Sequence, residues 1–144
     1  MDMKRLERTD FDFWSQLETR WRDMDAIGHI NHATYLSYME SARVDVYIKM
    51  GYSGIRKDMD ESTILASMEV QYFDQASHPS TLNVGHRICR VGTKSFDFLS
   101  AIFKDSKEEP VCAALFKMVA FNYQINKAIP VPNRIVERCR PIWA

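Results

Sequence analysis

The chain has 144 residues, the length of one domain, and its 19 Lys and Arg residues balance 19 Asp and Glu residues. This balance argues against nucleic acid or an anionic membrane surface as the main partner, and no segment approaches the roughly 20 apolar residues of a membrane span. Three scattered cysteines without a C-x-x-C pair favour free thiols over a disulfide framework or a zinc site. We therefore expect a cytoplasmic protein with a single domain over residues 1–144.

The first third of the chain predicts a strand, a loop and a long helix. The stretch "WSQLETRWRD" alternates between apolar and polar residues, which predicts a strand ending near Asp23. The segment "AIGHIN" is a turn-prone loop around Gly28. Asn31 is suited to cap a helix from about His32 to Met50, because its side-chain oxygen can accept a free backbone N–H.

The rest of the chain, after a polar loop from Arg56 to Ser62, predicts four antiparallel strands. These runs are "TILASMEVQYF", "TLNVGHRICRV", "SFDFLSAIF" and "VCAALFKMVAFNY", with turn residues between neighbours. The last run is apolar on both faces, which favours a helix against one face and another subunit against the other. We expect an α+β fold in which a curved antiparallel sheet of about five strands wraps one long helix, with a core at about 16–124 and a C-terminal extension at 125–144.

Three sequence motifs carry a resemblance to a known family. The segment "RWRDMDAIGHINHATYLSYMESAR", together with "VQYFDQA" and "RVGTKSFDF", resembles the hotdog-fold acyl-CoA thioesterases of the 4-hydroxybenzoyl-CoA thioesterase type. The resemblance implies a hotdog fold and a homodimer that pairs two sheets side by side, with active sites at the interface. Members of the family commonly form tetramers. The resemblance implies no cofactor. The spacing of Asp25, His29 and His32 does not favour a metal site, since no second group of ligands lies nearby in the sequence.

The resemblance places the chemistry on the loop before the helix. Asp25 matches the catalytic carboxylate of the family, either as the nucleophile that attacks the thioester or as the base that activates water. His32 matches a position at the helix start where it would orient substrate or water or relay a proton; the alternative is a histidine that belongs only to the capping turn. The first N–H groups of the helix, from His32 to Tyr35 and including Ala33, are candidate donors to the oxyanion.

A second motif is the candidate site for the nucleotide end of coenzyme A. Gly92, Thr93, Lys94 and Ser95 match the turn that holds this part of the ligand in the family. The alternative is an ordinary hairpin turn with solvated charges.

The remaining polar residues of the first motif have simpler interpretations. Asp23 is expected to hold the loop, for instance against Arg20 or Arg22, and His29 to be structural or to line the substrate site. Glu40 and Arg43 have the i,i+3 spacing of a helical ion pair. Glu40 is also the reserve candidate for a catalytic base.

These expectations define an acyl-CoA thioesterase that releases a carboxylic acid and coenzyme A. Two alternatives remain: a hotdog hydratase or dehydratase acting on acyl thioesters, and a non-catalytic acyl-CoA-binding protein. The sequence leaves open the acyl group, the choice between coenzyme A and an acyl carrier protein, and the choice between dimer and tetramer.

Overall fold

A curved antiparallel sheet packed around one long helix forms the structure, a computed structural model that describes residues 2–54 and 59–142. Three short 3-10 helices occur at Met3–Arg5, Arg8–Asp10 and Trp21–Asp23. The strands and α-helices follow the order β1 (Phe13–Glu18), α1 (His32–Lys49), β2 (Ser62–Tyr72), β3 (Thr81–Val91), β4 (Ser95–Lys104), β5 (Pro110–Asn122), β6 (Lys127–Ala128) and α2 (Asn133–Val136).

The sheet has the strand order β1-β3-β4-β5-β2, and the short β6 pairs with β5. All pairings are antiparallel. Alternate side chains of a strand point to the same face, and the inward-facing set packs against α1. Fully buried residues of this inner core include Met39, Leu82, Ile88, Phe96, Phe98 and Ile102. The predicted α+β hotdog fold is confirmed.

The N-terminal segment covers part of the outer face of the sheet. Met3, Leu6 and Phe11 form a second buried cluster with outward-facing residues of β4 and β5. Gly85 makes room for this cover, because a Cβ atom there would lie 2.8 Å from Cγ of Phe11. The sequence predicts that another subunit covers the outer face of β5. The N-terminal segment of the same chain covers part of this face instead, at Ala113.

Most element boundaries agree with the sequence prediction, with one clear exception. Helix α1 begins at His32 and ends at Lys49, and Met50 is its C-cap. Strand β1 ends at Glu18, so the prediction that it extends to about Asp23 is wrong: the chain turns into a 3-10 helix at Trp21–Asp23. Residues 56–58 of the predicted polar loop lie outside the described residues.

The C-terminal segment packs on the core. Val131 and Ile135 are buried within the inner cluster, and the backbone N–H of Arg140 donates to the carbonyl of Ile88 at 2.9 Å. Within the described ranges, no helix is long and apolar enough to cross a membrane.

Candidate active site

Asp25 lies in a small hairpin that leads directly into α1. The N–H of Asp25 donates to the carbonyl of His29 at 2.7 Å, and Met24 forms a bridge with Ile30. One step further back, the N–H of Asn31 donates to the carbonyl of Asp23 at 2.9 Å. With about 3.3 Å per residue along a strand and about 4.8 Å between strands, this ladder places the backbone of Asp25 about 8 Å from that of Asn31, which caps the helix.

The two oxygens of the Asp25 carboxylate have different surroundings. Oδ1 accepts the backbone N–H groups of Ile27 at 3.0 Å and His29 at 3.2 Å, which fixes the side chain in the loop. Oδ2 receives no hydrogen bond from the described residues, and the side chain is exposed. The geometry thus presents one anchored and one available carboxylate oxygen.

Asp23 anchors the base of this hairpin to α1. Only 4% of the residue is exposed, and Oδ2 accepts the Tyr38 hydroxyl at 2.5 Å. The Arg20 backbone N–H and guanidinium also donate to the carboxylate, at 3.0 and 3.1 Å. Burial raises the pKa of Asp23, but the hydrogen bonds from Tyr38 and Arg20 outweigh it and lower the pKa below its ordinary value. The predicted loop-holding contact with Arg20 is confirmed.

The start of α1 leaves one donor available beside the hairpin. Asn31 caps the helix as predicted, since its Oδ1 accepts the N–H of Ala33 at 2.9 Å, and its carbonyl accepts that of Thr34 at 2.9 Å. The N–H of His32 has no acceptor within the described part of the chain. The positive end of the helix dipole therefore coincides with an unused N–H group.

Two contacts that the sequence analysis did not identify hold this end of the helix. The Tyr72 hydroxyl donates to the carbonyl of His32 at 2.7 Å, and the two rings meet edge to face with centroids 6.5 Å apart. Ser77 Oγ donates to the carbonyl of Gly28 at 2.8 Å. Both residues come from β2 and the segment after it, far from the hairpin in sequence. No local pattern marks such contacts.

Tyr35, predicted to take part in substrate binding through its backbone N–H, has a buried side chain. Its hydroxyl accepts the N–H of Ala76 at 3.2 Å, while the N–H of Ile30 donates to the carbonyl of Ala76 at 2.8 Å. Burial raises the pKa of Tyr35 to about 12, so the phenol stays neutral. Its side chain therefore supports the hairpin, whereas its backbone belongs to the first turn of α1.

The turn Gly92–Ser95 lies at the opposite end of the same subunit. Ser95 pairs with Val119 at one end of β5, whereas Tyr72, beside the helix start, pairs with Cys112 at the other end. The seven residue steps from Cys112 to Val119 along β5 span about 23 Å. Within one chain, the structure does not bring the candidate coenzyme A turn to Asp25.

The predicted ion pair between Glu40 and Arg43 needs correction, and the structure adds detail on His29. Glu40 and Arg43 form no ion pair in the described structure: Glu40 is exposed, whereas Arg43 is buried with its guanidinium 4.7 Å above the Phe116 ring. Arg43 faces inward because it lies one helical turn from Met39 on the buried face. His29 is partly buried, and its Nδ1 has no partner among the described residues.

The arrangement supplies the two groups that thioester hydrolysis requires. An exposed carboxylate oxygen can attack a carbonyl or accept a proton from water, and a helix N-terminal N–H can donate to the resulting oxyanion. His32 is exposed at the same position. Among the described residues, no group of three or more His, Cys, Asp or Glu could hold a metal ion.

Comparisons with known proteins agree with this fold. A family model described as the thioesterase-like superfamily matches residues 19–139. The uncharacterized protein YsmA of Bacillus subtilis is 25% identical over 122 residues, covering 85% of this chain and 81% of that protein.

Solved structures share the same fold. A Pseudomonas aeruginosa protein superposes with a TM-score of 0.84 at 23% identity, covering 92% of each chain. A thioesterase from Thermus thermophilus, solved with coenzyme A and zinc, gives a TM-score of 0.78 at 27% identity and covers 90% of this chain and 98% of that one.

Proposed function

Because the chain belongs to the thioesterase-like superfamily, we propose that it is an acyl-CoA thioesterase in which Asp25 and the start of α1 carry out hydrolysis. The single observation that carries the proposal is the Asp25 carboxylate, anchored through Oδ1 and open at Oδ2, in a hairpin that continues into α1. The family match and the thioesterase-like neighbours support thioester hydrolysis. The acyl-CoA substrate is the further step that we propose.

In this mechanism the thioester carbonyl lies at the helix start. The N–H of His32 donates to the carbonyl oxygen as it gains negative charge. In one route Asp25 Oδ2 attacks the carbonyl carbon, the C–S bond breaks, and water then hydrolyses the resulting mixed anhydride to the acid and the free carboxylate. In the other route Oδ2 takes a proton from the attacking water and the C–S bond breaks as the tetrahedral intermediate collapses. In both routes the coenzyme A thiolate leaves and takes up the proton that water releases. The exposed His32 imidazole orients the substrate or water, and the neighbouring N–H of Ala33 is held by Asn31 so that the turn stays in place.

A homodimer would complete the site. Strand β2 is an edge of the sheet, and it exposes apolar residues, with Leu65 at 41% and Met68 at 49%. A long apolar edge strand is a template for pairing with another strand. Antiparallel pairing of two β2 strands would place the Tyr72 end of one beside the Ser62 end of the other. That pairing would bring Asp25 of one subunit towards the Gly92–Ser95 turn of the other.

The opposite edge of the sheet is less suited to this pairing. Lys49 Nζ donates to the carbonyl of Trp14 at 3.0 Å, and Ser15 Oγ donates to the Asp45 carboxylate at 3.3 Å. Side chains of α1 thus already cover strand β1. This favours β2 as the dimer edge.

We assign coenzyme A binding to the turn of Gly92, Thr93, Lys94 and Ser95, with Lys94 paired to a phosphate. Lys94 is exposed, whereas the nearby Arg90 is already paired in a two-pronged contact with Asp97, at 2.8 and 3.0 Å. Coenzyme A in the Thermus thioesterase supports this ligand class. The free thiols of the three cysteines support a cytoplasmic location.

A thiol-release screen over short, long, branched and aromatic acyl-CoAs tests the proposal. We expect release of free coenzyme A from at least one class, together with the matching carboxylic acid. Hydration of an enoyl-CoA without thiol release would instead identify a hydratase. Thermal stabilisation by acyl-CoA without thiol release would identify a non-catalytic binding protein.

A further inference from the structure

Three buried side chains in the same part of the core, away from the proposed active site, each have a polar atom with no hydrogen-bond partner among the described residues. They are Arg43 on α1, His86 on β3 and Ser100 on β4, exposed by 7%, 1% and 0%. Arg43 Nη1, His86 Nε2 and Ser100 Oγ are each buried without a partner among the described residues. Buried polar atoms are nearly always hydrogen-bonded, so three together require an explanation.

The contacts around these residues place them in the same part of the core, between α1 and strands β3 and β4. His86 and Ser100 are direct partners in the register of β3 and β4, so both side chains point to the same face. His86 also donates a hydrogen bond to the backbone carbonyl of Met39, one helical turn before Arg43. The helix thus brings Arg43 to the same part of the sheet.

Aromatic rings surround this point and exclude bulk water. The Arg43 guanidinium lies above Phe116, which pairs with Phe98 across β4 and β5, and the Phe98 ring meets His86 edge to face with centroids 5.7 Å apart. Beside Ser100, the neighbouring strand presents the small residue Ala114. The three polar groups therefore lie among apolar side chains, and the neighbour of Ser100 on β5 is small.

The chemistry of the three groups selects the ligand. Because His86 gives its Nδ1 proton to the Met39 carbonyl, its Nε2 carries a lone pair and acts as an acceptor. Burial and the nearby charge of Arg43 lower the pKa of His86 to about 3, so the ring stays neutral. An anion would be repelled by this lone pair, and a cation would be repelled by the positive charge of Arg43. A ligand that accepts from Arg43, donates to His86 and bonds to the Ser100 hydroxyl fits all three.

We infer that a single buried water molecule bridges Arg43, His86 and Ser100 and is a permanent part of the core. A water molecule typically makes about three hydrogen bonds in such a site, and proteins of this size hold several. The water links α1 to β3 and β4 through three atoms that form no hydrogen bond with one another. It also supplies an acceptor for Arg43 Nη1, which has none among the described residues.

A crystal structure at about 1.5 Å, grown with bromide as the only halide, tests this site. We expect one water-sized density peak within about 2.7–3.2 Å of all three atoms and no anomalous bromide signal. A bromide signal would replace the inference with an anion site. Absence of density, or a direct hydrogen bond between two of the three side chains, would overturn it.

The variant Ser100→Ala tests the same bond in solution, with Ser41→Ala on the exposed side of α1 as the matched control. If the Ser100 hydroxyl is bonded to water, its removal leaves the water short of a partner and lowers Tm. If the hydroxyl is unpaired, its removal relieves a desolvated group and raises Tm or leaves it unchanged. A lower Tm for Ser100→Ala supports the inference when the control Tm is unchanged or slightly raised, because alanine favours the helix more than serine does. An unchanged or higher Tm for Ser100→Ala contradicts it.

Discussion

Removing the Tyr38 hydroxyl provides a sensitive test of how the catalytic hairpin is held. In Tyr38→Phe, the buried Asp23 carboxylate loses its 2.5 Å hydrogen bond and keeps only the donors from Arg20. A hydrogen bond to a charged group contributes about 1.5–3 kcal/mol. For a chain of this length, a loss of about 2 kcal/mol lowers Tm by roughly 5–10 °C.

The effect has a characteristic dependence on pH. In the folded wild type the pKa of Asp23 is lowered, so its ionised form stabilises the fold above the unfolded pKa, and this contribution is lost as pH falls through the folded pKa. Tyr38→Phe returns the pKa of Asp23 towards its ordinary value of 3.8. The difference in unfolding free energy between wild type and variant is therefore largest near neutral pH and shrinks below about pH 4.

Urea unfolding at a fixed protein concentration, repeated from pH 7 to pH 3, measures this difference. Tyr123→Phe is the matched control, since Tyr123 is 43% exposed, and we expect it to change stability by less than about 0.5 kcal/mol. Two results would refute the reasoning: a Tyr38→Phe variant as stable as the control, or a loss of stability that does not vary with pH.

Three further predictions concern the dimer, the ligand and the N-terminal cover. Met68→Lys on the edge of β2 should yield monomers by light scattering and reduce turnover at least tenfold, and a dimer that persists contradicts the proposed pairing. Lys94→Ala should raise KM about tenfold for acyl-CoA but leave it unchanged for the matching acyl-pantetheine, and equal effects on both substrates argue against a phosphate contact. Gly85→Val should clash with Phe11, lower the free energy of unfolding by about 1–3 kcal/mol and expose the N-terminal segment to protease. A variant with wild-type stability and protease resistance would contradict the proposed packing.

Local patterns were sufficient to predict the main elements of the fold. The alternation of residues and the turn chemistry identified the four long strands, and the Asn31 cap identified the start of α1. The end of β1 was missed because Asp23 closes a tight turn by accepting the Arg20 N–H, a contact that overrides the loose alternation of the segment. The N-terminal cover was also missed, since it depends on Gly85 and Phe11 meeting across the sheet.

Part of the candidate site could likewise be predicted from the sequence, and part of it could not. The resemblance of the first motif selected Asp25 and His32, and their roles remain a prediction. The inward orientation of Arg43 could have been inferred, because the position is one turn from Met39 and three residues before the buried Val46. The contact between Tyr72 and His32 joins residues 40 positions apart, and only the folded chain reveals it.

Asp25→Asn tests the central claim most directly. The amide oxygen of asparagine can still accept the N–H groups of Ile27 and His29, so the hairpin, the oligomeric state and Tm should remain as in the wild type. We predict that kcat for thiol release from the best acyl-CoA falls at least about 100-fold, while the exposed control Asp105→Asn keeps wild-type turnover. A folded Asp25→Asn enzyme with turnover within a few-fold of wild type would contradict the assignment and make Glu40 the next residue to test.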